Sequence, residues 1–240
     1  MIPIRDINPS RTFPVVTKAL IAINVLAFLW ELSLGRHLPQ AFLQFAVIPA
    51  RYTHPGEAAE YFGHFPSLGA ALMPFVSSMF LHGGWMHLIG NMWTLWIFGD
   101  NVEDRLGHTR YLLLYVASGL AAALLHVLTN IGSGVPTLGA SGAIAGIMGA
   151  YFRFFPTARV EAIFPPFYFW PVAVPAVLFL GFWFALQFFS GTLSLTARGQ
   201  AGGIAWWAHV GGFAFGLGIC LLAPRRRETS RARHPFEYLE

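Results

Sequence analysis

Residues 139–154 read GASGAIAGIMGAYFRF. The run carries no charge before Arg153, and Gly142, Gly146 and Gly149 recur at i, i+4 and i+7 with Ser141 and Ala145 on the adjacent stripe. A helix this apolar suits lipid. Lipid tails are as apolar as the helix itself, so helices there associate by close packing, and small residues let their backbones approach. A matching face occurs in AWWAHVGGFAFGLG (205–218), where His209, Gly212 and Gly216 fall at i, i+3 and i+7. Packing one stripe on the other sets the Ser141 hydroxyl against the His209 imidazole.

The whole chain shares this character. Its 240 residues are 55% hydrophobic and 11% charged, against roughly 25% charged in an average soluble domain. Too few charges exist to coat a soluble surface, which excludes a soluble globular enzyme. The 23 Phe and 8 Trp exclude disorder, and a single cysteine, Cys220, excludes an intramolecular disulfide and a cysteine-based metal site.

A hydrocarbon core about 30 Å thick needs about 20 mostly apolar residues per helix. Segments 17–34, 82–99, 109–129, 168–190 and 203–222 meet this or come near it, and 140–155 is a shorter sixth. The expectation is an all-α, polytopic bundle of six transmembrane helices. The first run is too long for a signal-peptide core and lacks a small-residue exit, so it is expected to be retained. Six spans put both termini on one side. Twelve of the 15 Lys and Arg then lie on that side, and only Arg36, Arg51 and Arg198 on the other. The bias predicts cytosolic termini and accounts for the net charge of +4 without nucleic acid. Residues 1–14 are expected to be a cytosolic segment, 15–223 the six-span domain, and 224–240 a basic cytosolic tail touching anionic headgroups. The outer loop 36–81 has apolar patches (AFLQFAVI, LGAALMPFV) that predict an interfacial loop rather than a soluble domain.

Polar groups inside spans are costly and usually face the bundle interior. His82, His87 and Asn91 mark the second span, Ser141 the fourth and His209 the sixth, while spans 1, 3 and 5 read as nearly clean, with His126 and Gln187 towards outer ends. The three polar spans run in the same direction. Measured from the first charge at each cytosolic end, Asn91, Ser141, His87 and His209 lie about 14, 18, 20 and 24 Å into the membrane. They form one band across its middle and outer half.

A serine hydroxyl becomes a nucleophile when a base takes its proton. His209 suits that role, and with no Asp or Glu in the band of spans 4 and 6 the pair would act as a dyad, its imidazole oriented by packing and neutral hydrogen bonds. His87 and Asn91, four residues apart on one helical face, and the Ser141 backbone N–H at a helix start could donate hydrogen bonds to an oxyanion.

With these residues the sequence resembles the rhomboid family of intramembrane serine proteases. The matching pieces are His87–Asn91 as H-x-x-x-N, Gly139-Ala140-Ser141-Gly142 as G-x-S-G, Ala208-His209-Val210-Gly211-Gly212 as A-H-x-x-G, and FGDNVEDRLGHTRYLLLY after span 2. The resemblance implies Ser141 as nucleophile, His209 as general base, and His87, Asn91 and the Ser141 N–H around the oxyanion. It implies transmembrane protein substrates cut near the outer end of a span, and no metal or cofactor. A catalytically silent relative that binds transmembrane segments is the alternative. The short chain without further domains suggests a bacterial inner membrane.

Other residues carry lesser expectations. His82 should hold the first loop by a hydrogen bond, and Glu103 and Arg105 should form an ion pair or cap at the cytosolic turn. Arg51-Tyr52 departs from the Trp-Arg pair of several relatives. Pro171 and Pro175 allow span 5 to bend, and the span reads either as a lateral gate or as an aromatic-rich, lipid-facing helix.

Overall fold

Pro14 fixes the backbone ahead of the first long helix, α1 (Val15–Ser33), whose leading N–H groups have no partners within the helix. The Glu103 carboxylate supplies them: it accepts from the N–H of Val16 (2.8 Å) and Thr17 (2.8 Å) and from the Thr17 hydroxyl (2.7 Å). Glu103 also meets His108 Nδ1 at 2.6 Å, whereas the Arg105 guanidinium lies over the Phe154 ring, 5.3 Å from its centroid. Glu103 is therefore a cap on α1, and the anticipated Glu103–Arg105 pair does not form.

The computed structural model describes residues 1–164, 170–196 and 204–222. The basic tail 224–240 and Arg198 lie outside them, as does part of the approach to span 5. After α1 come four short helices, α2 (Leu38–Phe45), α3 (Ala50–Thr53), α4 (Pro55–Phe62) and α5 (Leu68–Ser77). Then α6 (Trp85–Leu106) and α7 (His108–Thr129) meet at Gly107, whose φ of 79° permits the reversal without a linker. The chain continues with α8 (Ser141–Phe154), α9 (Ala176–Thr196) and α10 (Trp206–Leu222).

These six helices overlap the six expected apolar runs, although α9 begins eight residues later than the run 168–190. Three of them, Val15–Ser33, His108–Thr129 and the Ala176–Leu195 part of α9, are long and apolar enough to cross a membrane by length and composition alone. The 14-residue α8 is the axis of the bundle, buried continuously from Gly142 to Tyr151. Its partners are α6, α7 and α10 rather than lipid.

The loop 36–81 has only a small core of its own, Ile48, Ala50 and Ala58 with Phe62 against them. Arg51 pins it by donating to the Leu43 carbonyl at 3.0 Å and by lying 3.7 Å from the Phe65 ring centroid. Val47 and Thr137 exchange two backbone hydrogen bonds, and Gly139 N–H donates to the Ser78 carbonyl at 2.8 Å. The outer loop thus clamps the segment that leads into Ser141.

The fold is mostly helical, as expected, but it includes a small antiparallel sheet in the order β1 (Ile2–Ile7), β2 (Arg159–Ile163), β3 (Val172–Pro175). The first residues are therefore a strand docked on the bundle. Val160 and Ala162 of β2 are fully buried in the main core, and Arg5 pairs with Glu161 across the strands at 2.8 Å. β3 runs directly into α9, so Pro171 and Pro175 precede the helix and end in extended chain. The expected bend within span 5 is not formed, because α9 starts only at Ala176.

Asp6 ties β1 to the foot of the bundle. Its Oδ2 accepts from the Tyr151 hydroxyl at 2.7 Å and from the Asn101 amide at 2.9 Å. Burial pushes the Asp6 carboxyl up to about 6; the Tyr151 hydrogen bond opposes the shift and nearby Asp100 adds to it. A carboxyl with a raised pKa in the folded chain favours that state most when protonated. The contribution is complete below about pH 4 and is lost as pH rises through about 6. Amide exchange across β1, corrected for intrinsic rates, should show more protection at about pH 5 than at about pH 7.5. Asp6→Asn should flatten the difference; a wild-type profile without it would contradict this assignment.

Candidate active site

The approach of α8 and α10 is backbone to backbone. A Cβ at Gly212 would collide with the Gly142 carbonyl oxygen, one at Gly216 with the Gly146 carbonyl oxygen, and one at Gly149 with the Phe213 carbonyl oxygen. The pairs Gly142–Gly212 and Gly146–Gly216 keep one register over a full turn, as parallel helices require. This register brings Ser141 Oγ to 2.8 Å from His209 Nε2.

Behind the imidazole stands α9. Gln187 Oε1 lies 2.8 Å from His209 Nδ1, and the Trp183 ring, one turn earlier, lies 5.8 Å centroid to centroid from the His209 ring. An amide oxygen only accepts, so Nδ1 carries the proton. The lone pair of the neutral ring is then on Nε2, facing the Ser141 hydroxyl.

α6 forms the opposite wall. Gly83 N–H donates to His87 Nδ1 at 3.3 Å, which leaves Nε2 of a neutral His87 as its N–H donor. That atom faces Gly139: a Cβ there would lie 2.6 Å from His87 Nε2 and 3.6 Å from Asn91 Nδ2. Gly139 also has φ +123°, a conformation other residues rarely adopt. The glycine two residues before Ser141 thus serves both the turn and the close passage of His87. α8 begins at Ser141 itself, so the Ser141 N–H has no partner within its helix. The three candidate oxyanion donors and the Ser–His couple converge on one end of α8.

Two residues in this assembly were not foreseen as part of it. Glu31, in the last turn of α1, is 1% exposed, and its carboxylate accepts from the His82 N–H at 3.0 Å. His82 Nε2 in turn accepts from Asn91 Nδ2 at 3.0 Å. Glu31 therefore holds the start of the HGGWMH segment, and the His82 ring holds Asn91 rather than only the loop. The second is Gln187. Spans 1 and 5 are not clean: the signal was a lone acid within one apolar run and a lone amide within the other. His126 lies apart from the couple's hydrogen bonds. It meets Thr137 Oγ1 at 2.8 Å and steadies the 130–140 segment.

A mostly helical bundle with three helices long and apolar enough to cross a membrane is an integral membrane protein. A family model described as Rhomboid domain matches residues 69–226. The chain belongs to the rhomboid family, whose members are generally intramembrane serine proteases acting on membrane proteins within the bilayer. It is 26% identical over 208 residues to the Presenilin-associated rhomboid-like protein, mitochondrial, of Homo sapiens, covering 82% of this chain and 45% of that protein. It is 32% identical over 150 residues to Rhomboid protein 1, mitochondrial, of Saccharomyces cerevisiae, covering 59% of this chain and 39% of that one. A shorter match, 41% over 75 residues, is to RHOMBOID-like protein 5 of Arabidopsis thaliana, covering 31% of this chain and 24% of that protein. The chain spans less than half the length of these curated relatives.

Proposed function

We propose that this chain is an intramembrane serine endopeptidase that cuts membrane-protein substrates in or near their transmembrane segments. The observation that carries the proposal is the 2.8 Å contact between Ser141 Oγ and His209 Nε2, with the proton placed on the far nitrogen by Gln187. In this mechanism Oγ attacks the scissile carbonyl carbon as its proton passes to His209 Nε2. The developing oxyanion is met by His87, Asn91 and the Ser141 N–H, donors fixed before the reaction starts. The tetrahedral intermediate collapses, the C–N bond breaks, and the imidazolium returns the proton to the leaving amine. Water, deprotonated by the same imidazole, then attacks the acyl-Ser141 ester and releases the carboxylate and the free hydroxyl. Among the described residues His209 has no carboxylate partner, so a Ser–His couple with neutral support runs both steps.

All six long helices are assigned as spans, with both termini and the basic tail on the Lys- and Arg-rich side. Because α8 rises about 21 Å in 14 residues, short of a core about 30 Å thick, Ser141 lies below the outer surface. The human and yeast relatives are named as mitochondrial, which argues against a bacterial inner membrane.

The test is cleavage of a model single-pass substrate in proteoliposomes. Wild type should cut it, and Ser141→Ala should leave the substrate intact while remaining folded. Undiminished cleavage by Ser141→Ala would end the assignment. A wild type that binds the substrate without cutting it would make the chain a silent relative.

A further inference from the structure

Serine hydrolases usually orient the base with a carboxylate that also stabilises the imidazolium. Among the described residues none meets His209. What meets Nδ1 instead is an amide oxygen on a different helix, at 2.8 Å, and Gln187 is only 7% exposed. An uncharged partner is the economical choice inside a membrane, because a carboxylate here would have to be desolvated whenever the imidazole is neutral. The amide still does one thing a carboxylate does: it accepts from Nδ1–H and so selects the tautomer with a free Nε2.

We propose that Gln187 is the third member of the Ser141–His209 couple, a positioning residue whose amide oxygen fixes the tautomer and ring orientation that proton transfer from Ser141 requires. The inference rests on the protease assignment and deepens it. Three contacts along the same seam make the placement precise. Trp183, one turn before Gln187, covers the His209 ring; Phe184 stacks on Phe213 with centroids 4.7 Å apart; and Trp207 Nε1 donates to the Gly191 carbonyl at 3.1 Å. Together they fix how α9 seats on α10 and therefore where the amide sits. The base is competent only while α9 is seated, so the helix expected to admit substrate also carries the group that readies the base.

The experiment is the pH dependence of Ser141 labelling by a fluorophosphonate, with the full chain in proteoliposomes. The other titratable side chains acting on His209 are His87 on α6 and His126 on α7, and both remain unchanged in every variant. Gln187→Leu removes the acceptor and should slow labelling roughly 10- to 100-fold, the rate equivalent of one buried hydrogen bond. Gln187→Glu keeps the shape and places a negative charge beside Nδ1. It favours the imidazolium, so the acidic limb of the profile should move to higher pH by roughly one unit or more. A residue that does not reach Nδ1 would not move that limb. Should the leucine variant fail to fold, the glutamate variant decides alone. Normal labelling of wild type with an unchanged limb in Gln187→Glu would overturn this inference and leave the protease assignment standing. No labelling of folded wild type would overturn both.

Discussion

Replacing His209 with alanine should reduce cleavage of a transmembrane substrate by about 10⁴–10⁶-fold, and adding Ser141→Ala to that variant should reduce it no further. The two groups act as one unit. The hydroxyl is a poor nucleophile unless Nε2, at 2.8 Å, takes its proton, so losing the base already forfeits what the nucleophile contributes. Independent roles would instead multiply the two losses. Stability should change little in Ser141→Ala, because the side chain lost is a single hydroxyl at the end of α8. The double-variant cycle, measured as kcat/KM in proteoliposomes beside a thermal melt of each protein, separates these cases. Losses that multiply, or a His209→Ala protein retaining more than about a hundredth of the rate, would mean that another group deprotonates Ser141.

The bundle and the convergence of its polar groups were legible in sequence for a physical reason. In a membrane a polar side chain is expensive, so His87, Asn91, Ser141 and His209 stand out against their surroundings, and the glycine stripes announce which helices can come close. Glu31 and Gln187 are as anomalous as His209, yet each lies towards the outer end of its run, where polarity passes for the start of the interface. Only the packing shows that Glu31 is buried against the His82 backbone and that Gln187 reaches Nδ1 of the base. Strand β1 was hidden for a different cause. IPIRDI alternates weakly and precedes a proline-rich turn, so nothing local distinguishes it from a tail; its partner β2 is more than 150 residues away in sequence. Arg105 is the basic residue nearest to Glu103 in sequence, whereas the partners of Glu103 are the free N–H groups of α1 and His108. Capping across 86 residues leaves no short-range trace.

Gly216→Ala should destabilise the chain by about 1–3 kcal/mol or more, while Gly218→Ala, two residues further along the same helix, should be nearly neutral. The contrast follows from what each added methyl meets. At Gly216 it would strike the backbone of Gly146, including its Cα at 2.7 Å, whereas at Gly218 nothing lies within 4 Å. Backbone cannot step aside as a flexible side chain can, so α10 must move away from α8 and give up the buried contacts along their seam. The outward shift has a second consequence. His209 lies two turns before Gly216 on the same face, so moving α10 lengthens the Nε2–Oγ contact, and a misplacement of about 1 Å in a catalytic group can cost about 100-fold in rate. Gly216→Ala should therefore lose both thermal stability and Ser141 labelling, and Gly218→Ala neither. Equal melting temperatures for the two variants would refute the close passage of α8 and α10, and with it the register that sets the serine against the histidine.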